Sequence, residues 1–311
     1  MSEVITIVQE RLPYHPRLGR NIRVDSRSLA FPYQPVSQIQ TDGDWKRHVG
    51  PFDQGEVGSC TGNAAIGCMA TGLYFESLAN FQVGFLRFKN NPLPFSLDEA
   101  GAVACYEAAT VLDSYPGTYP PNDTGSDGTA VAQALKNSGM ISGYTHATTG
   151  KDAALALGEG PVIAGMKWFN SMFEVGEGGR MTVDRNSGVA GGHEIVFDKI
   201  DAGAGQAWFT QSWGASWGVE RDGVPGRAWF TLDDFKALVD DQGDATVFVP
   251  ISAPAPAPVP VPPTPSPGPG CDDRTLWQAL EHFAGERHVV PEYKNLARLG
   301  LSWGAGKGFT K

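Results

Sequence analysis

The chain has 311 residues, 41% of them hydrophobic, and 24 basic against 34 acidic side chains give a net charge of −10. That is enough apolar material for one large or two small domains, and the acidic balance argues against nucleic acid or membrane as a partner. There is no run of 18 apolar residues to span a bilayer, and Met1-Ser2-Glu3-Val4 opens without a signal-like segment. The protein is therefore expected to be cytoplasmic when made, leaving, if it leaves, by lysis or by assembly into a particle such as a virion.

Residues 1–40 carry five arginines, Arg11, Arg17, Arg20, Arg23 and Arg27, and proline-containing stretches at 12–16 and 31–35 that interrupt any helix. They read as an extended basic arm. It is either packed along the chain's own acidic domain, or a short pro-segment, or a docking arm. Next comes Gln54-Gly55-Glu56-Val57-Gly58-Ser59-Cys60, a glycine-rich turn ahead of an apolar run. Ile66, Met69 and Leu73 at i, i+3 and i+7 predict a helix with one buried face, starting near Cys60. Open N–H groups and the positive dipole end favour a thiolate at a helix N-terminus. Gln54 can fold its side-chain N–H toward an oxyanion formed when that thiolate attacks a carbonyl. The plainer alternative is a cysteine packed as a small hydrophobe, the reading given to Cys68 and Cys105.

Residues 81–95, with Phe81, Phe85, Phe88 and Phe95, are aromatic and read as loop-like near Pro92 and Pro94; they line a cleft or join the core. A helix is predicted over 97–112 and another from about 129 to 138, stopped by Gly139. Ser126 or Asp127 is the cap of the second. A short helix over 152–157 and a buried strand over 161–166 follow. The glycine-rich stretch 186–192 then places His193 at a strand start. The pattern from there is β, through Trp208-Phe209-Thr210 and Arg227-Ala228-Trp229-Phe230, with Gln211-Ser212-Trp213-Gly214-Ala215-Ser216-Trp217-Gly218 between them. Thr231 caps a last helix, and 246–249 closes the domain as a strand. Of six histidines only His193 has this setting; His48, nearer Cys60 in sequence, is the lesser candidate for a base. The four cysteines make no metal-ligand spacing, so neither metal nor cofactor is expected.

In residues 252–270 nine of nineteen are proline, a polyproline II linker of roughly 60 Å. Residues 271–311 carry two amphipathic helical patterns, a marginal core alone, and are expected to dock on a protein partner or assembly, or on themselves in an oligomer; the plainer alternative is a free-standing helical hairpin.

The three motifs taken in order resemble the papain-like cysteine peptidases: Q-G-x-x-G-S-C at 54–60, G-G-H at 191–193, and a signature like N-S-W-G-x-x-W-G at 211–218. Asp44-Trp45 is similar to the opening of that catalytic domain, and the likeness runs from about Trp45 to Val249. It implies an α+β, papain-like two-lobed fold over 41–251, with the nucleophile on a helical lobe and the histidine on a β-rich lobe. It implies hydrolysis of peptide bonds in a peptide or protein substrate. Cys60 would be the nucleophile, His193 its base, Gln54 an oxyanion donor, and Gln211 the group orienting His193. Trp213 would shield that contact. Ser126, Asp127, Gly128, Gly192 and Trp213 would meet substrate. A neighbouring reading keeps the chemistry but acts on cell-wall peptide or amide bonds.

Two positions depart from the pattern. Gln211 stands where the family has Asn, carrying the same amide on one more methylene, so Gln211→Asn is expected to match or raise turnover. Thr61 stands where Trp is frequent. Val57 replaces a cysteine of the secreted members, which fits a reducing compartment. The chain is also similar to papain-like proteins of bacteriophages of high-GC, actinobacterial hosts. The alternative function is accordingly a structural or binding component of a large assembly, on the same scaffold, with weak or vestigial activity.

Overall fold

The computed structural model describes residues 8–9, 15–22, 26–86 and 93–251. The expected linker and terminal helical unit, with Cys271, His282 and His288, and residues Arg11, Arg23 and Phe88, lie outside the described residues. In chain order the elements are β1 (Val8–Gln9), β2 (Gly43–Asp44), α1 (Cys60–Met69), α2 (Gly72–Leu86), α3 (Glu99–Leu112), β3 (Asn122–Asp123), α4 (Gly128–Asn137), β4 (Ile141–Ala147), α5 (Gly150–Glu159), β5 (Val162–Phe169), β6 (Val189–Asp201), β7 (Gln206–Thr210), β8 (Val219–Arg221), β9 (Val224–Thr231), α6 (Leu232–Asp240) and β10 (Asp244–Pro250).

Eight strands form one sheet in the order β4-β10-β5-β6-β7-β9-β8, with β2 on β6, and each of its pairs is antiparallel. β6 is the long central strand. Side chains alternate across a strand, so one strand can feed two cores. Ile195 and Phe197 join Trp168, Phe209, Phe230 and Phe235 in the core under α5 and α6. Val196, with Ile163 and Phe248, joins Ile66, Met69, Cys105 and Leu135 in the core under α1, α3 and α4. The molecule is an α+β arrangement in which the sheet separates the two helical groups.

The capping residues act as their chemistry dictates. Asp127 caps α4 by accepting from the Ala130 N–H at 2.8 Å, and Asp98 does the same for α3 from Gly101 at 2.9 Å. Thr231 caps α6, accepting from Asp234 at 3.0 Å. Four expectations need correction. All ten residues of α1 are buried, so the helix has no solvent face and its apolar spacing is not amphipathic. It ends at Met69, and Leu73 belongs to α2. α2 runs to Leu86 and includes Phe81 and Phe85, ending before the stretch near Pro92 and Pro94 that reads as loop-like. His193 is the fifth residue of β6, not its first, because the strand already includes Gly191-Gly192. The helix expected at 152–157 extends from Gly150 to Glu159, capped by Thr149.

Candidate active site

α1 begins at Cys60, after a turn that needs positive φ at Gly55 (58°). Ser59, the residue before it, makes no side-chain cap. Its hydroxyl is turned to the side chain of Asn63, which donates to Ser59 Oγ at 3.0 Å and to the Ser59 carbonyl at 2.9 Å. Cys60 is completely buried, as are Cys68 and Cys105. Burial pushes the Cys105 thiol up to about 12 and the Cys68 thiol well above the ordinary value. The first turns of α1 face β6 and the residues after β7: Asn63 and Ala64 line a cavity of about 10 Å³ with Glu194, Val196, Gln211 and Ser212.

His193 is fully buried, and its Nε2 lies 2.6 Å from Gln211 Oε1. The Ser212 N–H donates to that same oxygen at 2.9 Å. An atom facing a backbone N–H must accept, so it is the amide oxygen, and Nε2 of the imidazole carries the proton. Nδ1 is then the acceptor nitrogen of the neutral ring, and it has no hydrogen-bond partner. The extra methylene of Gln211 is therefore accommodated in full. Its backbone N–H is fixed on the Gly226 carbonyl at 2.9 Å.

The ring is boxed by aromatics. Trp213 stacks on it at 5.0 Å and 27°, and Trp168 meets it edge-on at 4.9 Å. Phe173 stacks behind Trp213 at 5.5 Å, and His15 lies against Phe173 at 4.8 Å. Burial lowers the His193 pKa to about 4, the Gln211 contact opposes this, and a charge on His15 adds to it. His193 is thus neutral near neutrality in this arrangement.

Gln54 is held across the site from these residues. Its backbone donates to the Ser212 carbonyl at 2.9 Å, its Oε1 accepts from Ser212 Oγ at 2.6 Å, and its Nε2 donates to the Val57 carbonyl at 2.7 Å. A primary amide nitrogen carries two N–H groups, and Val57 uses one. Asp53 bridges Trp213, and the Gly214 N–H donates to the Phe52 carbonyl at 2.9 Å. The Gln54 turn and the 211–214 segment are therefore one unit.

Ser126, Asp127 and Gly128 stand at the start of α4. Asp127 is the cap, while the backbone of Ser126 and the carbonyl of Gly192 both pair with the arm, at Arg20. Sequence reasoning missed four residues here. Ser212 fixes both glutamine amides, and its position directly after Gln211 was the available signal. Glu194, next to His193, is buried with Arg20 and Asp244. Nothing local in the sequence separates Arg20 from the other four arginines of the arm. His48 is elsewhere, stacked on Phe75 at 3.9 Å. Among the described residues no group of three or more His, Cys, Asp or Glu side chains is arranged to hold a metal ion.

No family model and no curated protein sequence matches the chain. Solved structures do. Xylellain, a cysteine protease from Xylella fastidiosa, superposes with a TM-score of 0.53 at 17% identity, covering 79% of this chain and all of that one. A digestive procathepsin L 3 of Tenebrio molitor larval midgut gives 0.48 at 15%, covering 76% and 77%. The proform of the ragweed pollen cysteine protease Amb a 11 gives 0.47 at 15%, covering 84% and 74%. The first likeness shows that the chain has the papain-like cysteine-protease fold.

Proposed function

We infer that the protein is a cysteine peptidase whose nucleophile is Cys60 and whose base is His193. The observation that carries this reading is the 2.6 Å contact from His193 Nε2 to Gln211 Oε1, which leaves the acceptor face of the ring at Nδ1. The papain-like fold supports it.

In this reading the neutral imidazole takes the Cys60 proton at Nδ1. The dipole end of α1 stabilises the resulting thiolate, and Gln211 and Trp213 hold the ring. The sulfur attacks the carbonyl carbon of a peptide bond. Negative charge moves to the carbonyl oxygen, where the second N–H of Gln54 and the Cys60 N–H donate to it. His193 returns its proton to the leaving amine, and an acyl thioester remains on Cys60. Water, deprotonated by His193, then releases the acid and restores the thiol. Ser126 and Gly192 supply main-chain partners for an extended substrate.

The competing reading, a non-catalytic component of a large assembly such as a virion, requires Gln211 to fail as a positioning group. Its amide oxygen lies within hydrogen-bond distance of the ring, which favours the peptidase. The test is hydrolysis of a mixed peptide library under reducing conditions, read by mass spectrometry. Cleavage that disappears in Cys60→Ala supports the peptidase; no cleavage by the purified full-length protein or by its Arg20→Ala variant sinks it.

A further inference from the structure

The arm pairs through its backbone at residues 19–21, where Arg20 forms an isolated parallel bridge with Ser126. The Ser126 N–H donates to the Gly19 carbonyl at 2.8 Å, the Asn21 N–H to the Ser126 carbonyl at 3.0 Å, and the Arg20 N–H to the Gly192 carbonyl at 3.0 Å. Glycines make the room. A Cβ on Gly192 would stand 2.2 Å from the Arg20 carbonyl oxygen, and one on Gly125 would stand 2.3 Å from that of Gly19. Gly19 itself abuts Gly58 of the Cys60 turn, where a Cβ would stand 1.7 Å from the Gly58 oxygen. The Gly19 carbonyl, held by Ser126, is committed to that hydrogen bond.

The Arg20 side chain drops into a pocket beside Gly165, where a Cβ would stand 1.8 Å from Nε. Its Nη2 donates to Asp244 Oδ1 at 2.6 Å, both terminal nitrogens face the Gln242 carbonyl at 3.4 Å, and Nε lies 3.5 Å from Glu194 Oε2. Acceptors on separate sides of one plane suit the flat fork of a guanidinium, which a single ammonium cannot reproduce. Asp244 and Glu194 hold Arg20 protonated despite its burial. Yet the fit is incomplete: neither Glu194 oxygen, nor Arg20 Nε, has a hydrogen bond, although all are buried. A guanidinium seated slightly closer to Glu194 would satisfy all three.

We propose that Glu194, Asp244 and the Gln242 carbonyl form the selectivity pocket of this cleft, that it takes an arginine side chain of a peptide substrate, and that Arg20 is its intramolecular occupant. The proposal rests on the peptidase reading for its substrate, but the pocket can be probed without turnover. While residues 19–21 are seated, no other strand can reach Ser126 and Gly192.

The experiment uses the full chain and Arg20→Ala, with agmatine as a free guanidinium and n-butylamine as its control. Agmatine is expected to raise the melting temperature of Arg20→Ala but not of wild type, and n-butylamine to raise neither. Arg20→Ala should cleave a peptide library roughly tenfold or more faster than wild type, with arginine enriched at one fixed position beside the cut. Asp244→Asn added to Arg20→Ala should remove that enrichment. Should Arg20→Ala not fold, Arg20→Lys keeps the charge without the fork and should show the same changes, smaller. Stabilisation by agmatine with no cleavage by any variant upholds the pocket and overturns the peptidase. Cleavage without arginine enrichment and without an agmatine effect overturns the pocket and makes Arg20 a closed structural ion pair.

Discussion

At the scale of single residues, the geometry reverses one expectation. Shortening Gln211 by one methylene withdraws its amide oxygen by roughly a bond length of 1.5 Å from a ring that it now meets at 2.6 Å, beyond hydrogen-bond reach. Gln211→Asn should therefore lower kcat by roughly tenfold to a hundredfold with KM little changed, and Gln211→Ala should do no better. Steady-state kinetics on a cleaved library peptide check this; turnover at or above wild type for Gln211→Asn would show that the strand relaxes. His193 also makes a pH prediction. Its pKa falls from 6.5 to about 4 on folding, so the unfolded chain binds the proton first. Stability from this group is complete above about 6.5 and is lost as pH falls toward 4, on the order of 3 kcal/mol in all. Burial raises the carboxyls of Glu194 and of Asp113, the latter to about 6, and these act with the opposite sign. The comparison is thus between urea melts of wild type and His193→Gln at pH 7 and 4.5, where the variant should lose less on acidification.

At the scale of elements, the caps carry measurable weight. Thr231→Ala removes the bond to the Asp234 N–H and should cost about 1 kcal/mol, seen as a melting temperature roughly 2–4 °C lower by calorimetry. Such caps were legible because a cap is a local affair of four residues, and α3, α4 and α6 were readable within a residue or two. α1 was legible at its start, Cys60, but not at its end or in its burial, because a helix buried on every side has no polar face to give its apolar spacing a period. The start of β6 was hidden for a different reason. Gly191-Gly192 lowers strand propensity and reads as a loop, yet Gly192 is required in the strand by the approach of the Arg20 backbone. The motifs of the candidate site, at Gln54, Cys60, His193 and Gln211, stood out in the sequence because each sits in a short run of distinctive neighbours. The acidic pocket was not, since its pairing joins Arg20 to Asp244 across 224 positions.

At the scale of the whole molecule, both cores close within residues 18–251. A chain ending after Ile251 should keep a single cooperative melt at an unchanged midpoint; a broadened or lowered transition would mean that later residues belong to the fold. Thiol labelling reads the closed cleft directly. Cys60 should react slowly with iodoacetamide in wild type, where it is fully buried, and faster in Arg20→Ala, while Cys68 and Cys105 stay inert in both. Equal Cys60 rates would mean that residues 19–21 do not gate the sulfur. The segment proposed to occupy the cleft is covalently part of the chain, so its local concentration there is set by the tether, on the order of millimolar, and does not fall on dilution. A free peptide competes against that fixed value: at micromolar peptide nearly every molecule stays shut, and turnover climbs only as peptide nears the tether's own concentration. Dilution, which releases an enzyme from a separate inhibitor, would leave this one as occupied as before.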